Sequence, residues 1–368
     1  MHIIELFAGV GGLSLGAARA GFKIAAAVEL DKHAISSHAK NFPTSKHFCL
    51  DVGQIDGKEL LKMSGLNEGE LTGLIGGPPC QGFSTMGKRV VCDPRNNLFV
   101  NFFRIISETQ PTFFLAENVP GIMNAQYDII RNEAFSYISK DYEILPPIVV
   151  KANEFGAPTT RKRIFFIGFK KHQGISASEK HFSPSDTTDK ITVKRALDGL
   201  PLDFDNIDHE GWVSVKKPKG LTDFESRLCG HIPEGVGNPE AIERYVKFSQ
   251  VSGFMPTKHS ASVEARYAAL TAKEQDKVSK SSRLDADSFC PTLRAGTGSD
   301  KGSFQAVRPI HYARPRVITP REAARLQGFP DWFIFHSTKW HSFRQIGNSV
   351  SPIVAEEILS KIKNILIK

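Results

Sequence analysis

Five cysteines occur in the chain, Cys49, Cys80, Cys92, Cys229 and Cys290, and Cys80 alone is framed for chemistry. It lies in Gly76-Gly-Pro-Pro-Cys-Gln-Gly-Phe-Ser84, where two glycines close an apolar run and two prolines stiffen the turn that follows. The thiolate, not the thiol, is the nucleophile, and an ordinary cysteine has a pKa of about 8.5. A rigid mount beside positive charge therefore suits an attacking sulfur. A lone cysteine without such a frame reads instead as a small buried hydrophobe. Cys49, inside a strand-like run, is expected to be core, and Cys92, Cys229 and Cys290 have no comparable frame. The odd count, the wide spacing and the lack of a Cys-x-x-Cys pair indicate neither a disulfide framework nor a zinc cluster. No metal is expected, and the thiols should be reduced.

Three further groups could act with that sulfur. Glu117, in Ala116-Glu-Asn-Val119, follows an apolar run, and its carboxyl could hydrogen-bond or protonate a ring nitrogen, or merely cap the next turn. Arg161 and Arg163 are two residues apart entering a strand, so both project to one face and can grip phosphate or a base carbonyl; the alternative is a solvated basic edge. The loop Phe7-Ala-Gly-Val-Gly-Gly12 lets a ligand approach the following helix N-terminus. Glu29, twenty residues after Gly9, ends the second strand-like run, where an acid can hold ribose hydroxyls. Asp51 closes the third such run and could accept from an adenine amino group. Together these acids and glycines point to an adenosine-containing cofactor.

The elements that must position these residues alternate strand-like and helical runs, the signature of a mostly parallel sheet flanked by helices. Strands are expected at His2–Leu6, Ile24–Val28, His47–Leu50, Leu71–Ile75, Thr112–Ala116, Glu143–Val150 and Ile164–Phe169. Gly21 is placed to end the first helix, and Leu98, Phe102, Ile105 and Ile106 mark an amphipathic one. From about Lys171 to Pro309 the chain turns polar and rich in Gly, Pro and Ser, as an irregular second domain would. A helix signal returns at Thr319-Pro-Arg-Glu322, with an N-cap, a proline at the first position and a capping glutamate. Lys and Arg exceed Asp and Glu by eight in 368 residues, which favours a polyanionic partner without proving one. No apolar run is long enough to span a bilayer and no basic leader precedes one, so the cytoplasm is the expected location.

Phe7-Ala-Gly-Val-Gly-Gly12, Pro78-Pro-Cys-Gln81, Glu117-Asn-Val119, Arg161-x-Arg163, Arg321-Glu-Ala-Ala-Arg-Leu-Gln-Gly-Phe-Pro330 and Gln345-Ile-Gly-Asn-Ser-Val350 occur in one order. In that order and rough spacing the chain resembles the DNA (cytosine-5) methyltransferases, of the bacterial restriction–modification type. The resemblance covers about the first 170 and last 55 residues and is missing from the middle. It implies an α/β fold: a Rossmann-like, S-adenosylmethionine-dependent methyltransferase with a mixed sheet and a smaller, irregular target-recognition domain. The implied division is residues 1–172 for catalysis and cofactor, 173–338 for target recognition, and 339–368 packing back on the first. Cys80 is implied to add to carbon 6 of a cytosine flipped from duplex DNA, Glu117 to engage ring nitrogen 3, and Arg161 and Arg163 to lie near the flipped base. Phe7, Gly9, Gly11, Glu29, Asp51, Pro79, Leu98, Asn348 and Val350 are implied to hold S-adenosylmethionine. Gln81, Ser84, Thr292, Leu293, Arg294 and Gly296 are implied DNA contacts, the last four from Pro291-Thr-Leu-Arg-Ala-Gly-Thr-Gly298, which resembles the family's recognition loop. One departure stands out: Thr159 occupies the place where the family usually has Gln, which puts the hydrogen bonding of that turn in doubt.

A monomer acting on double-stranded DNA, paired in function with a restriction endonuclease, is what the resemblance implies. Two rivals remain at this level: a transfer-RNA cytosine-5 methyltransferase, which the long middle insert argues against, and a non-catalytic DNA-binding relative, which the intact Cys80, Glu117 and arginines argue against. A nicotinamide-dependent dehydrogenase would explain the glycine loop and leave Pro-Pro-Cys without a purpose.

Overall fold

A computed structural model describes residues 1–79, 97–186, 188–203, 207–218, 222–296 and 307–367. The first half runs β1 (His2–Leu6), α1 (Gly12–Arg19), β2 (Lys23–Val28), α2 (Lys32–Asn41), β3 (Lys46–Phe48), α3 (Gly57–Ser64) and β4 (Leu71–Gly76). It continues with α4 (Asn97–Thr109), β5 (Phe113–Asn118), α5 (Asp128–Ser136), β6 (Tyr142–Ile144), β7 (Ile148–Lys151) and β8 (Lys162–Lys170). The second half is sparser: α6 (Val193–Leu197), β9 (Val213–Ser214), α7 (Asp223–Cys229), α8 (Pro239–Phe248), β10 (Gln250–Val251) and α9 (Ala261–Ala268). It ends in α10 (Pro320–Gln327), α11 (Lys339–Asn348) and α12 (Pro352–Leu366).

One sheet of eight strands, in the order β3-β2-β1-β4-β5-β8-β6 with β7 also on β8, organises the fold. β1 to β5 pair in parallel, and β8 runs antiparallel to β5, β6 and β7. The strands read as continuous apolar runs because both faces are covered. Alternation sends Ile3, Ile75, Phe113, Leu115, Phe165 and Ile167 to one face, and Ile4, Leu6, Leu74, Phe114, Ala116 and Phe166 to the other. The first face shares a continuous apolar core with the second half, including Phe182, Leu228, Phe254, Cys290, Leu293 and Trp332. The middle of the chain is irregular in backbone, yet its core is joined to the sheet.

Two expectations are corrected. Glu143–Val150 is not one strand: β6 stops at Ile144 and β7 begins at Ile148, because Pro146 and Pro147 have no N–H to continue a ladder. β3 stops at Phe48, so Cys49 is exposed instead of core. Other signals translate directly. Gly21 follows the end of α1 with φ +83°, and Thr319 and Glu322 form a complete capping box on α10, with Pro320 in the first turn.

α12 closes the molecule on itself by packing along α1. The contact is close: a Cβ on Gly16 would lie 2.3 Å from Ala355 Cβ and 2.5 Å from the Glu356 nitrogen. Glycine to alanine inside a helix ordinarily stabilises by about 0.5–1 kcal/mol. Here the sign should reverse, with Gly16→Ala costing roughly 1–3 kcal/mol as α12 is pushed off. Urea denaturation checks this, and a stabilised variant would show that the two helices do not meet as described.

Candidate active site

The strand order reverses between β1 and β4, and in open α/β sheets that switch point opens a crevice at the carboxyl ends of the strands. A cavity of about 570 Å³ occupies it. The loop after β1 enters with three left-handed residues, Phe7 (φ +57°), Gly9 (+54°) and Gly11 (+98°). Glu29, just past β2, ties this loop to the next: its two oxygens accept from Gly9 N at 2.9 Å and Asp31 N at 2.8 Å. Burial pushes the Glu29 carboxyl above its ordinary pKa, and those two N–H groups oppose the shift.

Phe7, Gly9, Glu29, Asp51, Pro79, Leu98, Asn348 and Val350 all line the cavity. Gly11 does not. A Cβ there would lie 2.4 Å from Phe42 and 3.0 Å from His38, so glycine is needed for packing beneath the loop. On the other wall are Gly77, Pro78, Glu117, Arg161 and Arg163. Glu117 Oε1 pairs with Arg163 Nε at 2.6 Å, and a Cβ on Gly77 would touch the other Glu117 oxygen at 3.0 Å. Asn118 Nδ2 donates to the Pro78 carbonyl at 3.3 Å, so β5 holds the Pro-Pro turn that leads into Cys80. Cys80, Gln81 and Ser84 lie outside the described residues.

The two arginines divide their work. Arg163 faces Glu117, whereas Arg161 is buried and ties three carbonyls: Gly347 at 2.9 Å and Leu293 and Asn348 at 3.3 Å. The Thr159 turn pairs with the segment around Cys290 as well, Thr160 N donating to Cys290 O and Cys290 N to Pro158 O, both at 2.9 Å. Thr159 itself is buried with a hydroxyl that has no hydrogen-bond partner among the described residues. Leu293 turns its side chain into the core, while Arg294 and Gly296 are exposed and Thr292 is half-buried. Gly347 permits the crossing, since a Cβ there would lie 2.5 Å from Ala295 N.

The lining also includes Glu5, Asp31, His33, His341, Arg344 and Gln345, none of which sequence reasoning proposed. Asp31 carried a usable signal, as the N-cap of α2 accepting from His33 N and Ala34 N. His341, Arg344 and Gln345 come from more than three hundred residues away, and no local pattern announces that they meet α2. Glu5 lies beneath the loop, in a buried chain of hydrogen bonds. His47 Nε2 is 2.9 Å from His38 Nδ1, His38 Nε2 is 3.1 Å from Ser14 Oγ, and Ser14 Oγ donates to Glu5. Burial pushes Glu5 up to about 8 and holds His38 well below its ordinary range, so both are neutral near pH 7.

The geometry defines an α/β methyltransferase of the S-adenosylmethionine-dependent fold, with the cavity at its switch point. The chain matches the family described as C-5 cytosine-specific DNA methylase over residues 1–364. It is 37% identical to the Type II methyltransferase M.XorII of Xanthomonas oryzae pv. oryzae, across 99% of this chain and 85% of that one. It is 31% identical to the Type II methyltransferase M.NgoPII of Neisseria gonorrhoeae, across 100% and 96%. A crystal structure described as a DNA modification methyltransferase encoded within an E. coli prophage superposes with a TM-score of 0.90 at 52% identity, covering 100% of both chains. Dnmt2 of S. pombe shares the fold, with a TM-score of 0.60 at 16% identity and coverage of 100% and 98%. The chain belongs to the C-5 cytosine-specific DNA methylases and is a DNA (cytosine-5) methyltransferase. Among its described residues no helix is long and apolar enough to cross a membrane.

Glu5 generates a pH prediction. Its proton is held more tightly in the folded than the unfolded chain, so the stability it contributes is full below pH 4.5 and is lost progressively as pH rises to about 8. Glu5→Gln should remove that component, leaving a flatter melting temperature over this range. Equal slopes for parent and variant in thermal melts would refute the assignment.

Proposed function

We propose that the cavity is where this methyltransferase joins S-adenosylmethionine to a cytosine flipped out of duplex DNA, with Cys80 as the nucleophile. One observation carries the reading: a single cavity is lined on one side by the glycine loop, Glu29 and Asp51, and on the other by Pro78, Glu117 and Arg163. The donor set fits the cofactor. Glu29 and Asp51 suit ribose hydroxyls and an adenine amino group, Phe7, Pro79, Leu98 and Val350 supply apolar surface, and Asn348 is exposed beside them. Gly11 supports the loop from below. When bound, S-adenosylmethionine supplies an electrophilic methyl on its sulfonium.

Carbon 5 of cytosine is a poor nucleophile until the ring is activated. In the proposed sequence the Cys80 thiolate forms a bond to carbon 6 while Glu117, held by Arg163, engages ring nitrogen 3. The electron pair gained by the ring makes carbon 5 nucleophilic. After methyl transfer, with S-adenosylhomocysteine as the leaving group, loss of the carbon-5 proton to water and cleavage of the sulfur–carbon bond return the Cys80 thiolate and leave 5-methylcytosine. Arg161 is a positioning residue in this scheme, because its hydrogen bonds go to backbone carbonyls.

Unstacking the base costs a few kcal/mol, which phosphate contacts from a basic chain can offset. We assign residues 1–172 to catalysis, 173–338 to target recognition and 339–368 to the returning segment, acting as a cytoplasmic monomer beside a cognate endonuclease. Arg294, Thr292 and Gly296 are the described candidates for DNA contact; the other two, Gln81 and Ser84, lie outside the described residues. Leu293 anchors that segment from the core.

The test is transfer of labelled methyl from S-adenosylmethionine to duplex DNA and, separately, to transfer RNA, followed by bisulfite sequencing of the DNA product. Duplex DNA should be methylated at a defined sequence, and Cys80→Ala should lose roughly four orders of magnitude or more in rate. Preferential methylation of RNA, or an active Cys80→Ala, would overturn the proposal.

A further inference from the structure

Outside the groups used so far, three histidines meet at the rim of the cavity. His33 stands in the first turn of α2, His336 in the loop before α11, and His341 on α11. One ring nitrogen from each lies within 4.8 Å of the other two. His33 Nδ1 and His336 Nε2 are 3.1 Å apart, near the roughly 3.3 Å edge of a tetrahedron with metal–nitrogen bonds of about 2.0–2.1 Å. The His341 ring packs at 4.0 Å from His33 and 4.4 Å from His336, centroid to centroid.

The three backbones are held in place independently of the rings. Gln345 accepts from His336 N and donates to His33 O, each at 3.0 Å, and donates to Ser37 Oγ at 2.9 Å. Asn41 grips the same loop through both its oxygen and its nitrogen, to Ile334 N at 3.0 Å and Ile334 O at 2.7 Å. Thr338 N donates to His336 Nδ1 at 3.0 Å, which orients the ring and leaves its Nε2 toward His33. Asp31, whose other side pairs with Arg344 at 3.2 Å, supplies nearby negative charge.

We propose that His33, His336 and His341 form a binding site for a divalent transition metal at the rim of the cavity. Three imidazoles without a carboxylate ligand suit zinc, nickel or copper and disfavour magnesium or calcium. The proposal does not depend on what the cavity itself holds. His33 and His341 line that cavity, so an ion here would stand at its mouth.

Zinc chloride is titrated into the full chain by calorimetry, with magnesium chloride as the comparison, in the parent and in His336→Gln and His341→Ala. Cobalt(II) is then added to record visible spectra, because exposed Cys49 offers a competing thiol. One equivalent of zinc should bind and magnesium should not, and each variant should bind zinc at least roughly 10-fold more weakly. Cobalt should give d–d bands without sulfur-to-metal charge transfer. No zinc binding, equal affinity in parent and both variants, or a thiolate charge-transfer band would each overturn the site.

Discussion

A single buried guanidinium joins the parts of this molecule that must act together. Arg161 lies just before β8, 3% exposed, and its N–H groups reach the carbonyls of Leu293, Gly347 and Asn348. Taking an arginine out of water costs several kcal/mol unless its donors are satisfied. Those carbonyls belong to the segment around Leu293 and to Gly347 and Asn348, which line the cavity. Folding around Arg161 therefore requires both segments to be in place. The backbone pairing of Pro158 and Thr160 with Cys290 extends the same tie, and Gly347 allows the two segments to touch.

The chemistry depends on a second constraint, the reversal of strand order between β1 and β4. That reversal leaves room at the sheet's carboxyl edge, and each strand end delivers one functional group there. β1 delivers the glycine loop, β2 delivers Glu29, β4 delivers the Pro-Pro turn and β5 delivers Glu117. Glu29 joins the first two loops by hydrogen bonds, and Asn118 joins the last two. The site is thus held by contacts between neighbouring strand ends, with Arg163 and Glu117 opposed across the antiparallel addition.

Groups set at strand ends and in short motifs were legible from sequence because their local pattern is their signal. Eight of the nine residues assigned to cofactor line the cavity, and the exception, Gly11, is a glycine for steric reasons that no spacing reveals. The two arginines share a motif but not a role, since which carbonyls surround Arg161 is settled by segments over a hundred residues away. Pro146 and Pro147 should have broken the expected strand at once; the flanking apolar residues masked them. The middle of the chain stayed obscure because its core is built from single apolar residues spaced along irregular backbone, such as Phe182, Phe254 and Leu293, with no period to read. His341 and Arg344 face α2 through tertiary packing alone.

The central claim is that the sulfur following Pro79 attacks the cytosine ring while Glu117 and Arg163 hold it. The most direct measurement is mass-spectrometric mapping of the adduct formed with S-adenosylmethionine and duplex DNA carrying 5-fluorocytosine, whose fluorine cannot leave as the carbon-5 proton does. The account predicts a covalent, methylated nucleotide on the peptide containing Cys80. An adduct on another residue, or none with DNA that the enzyme methylates, would contradict it.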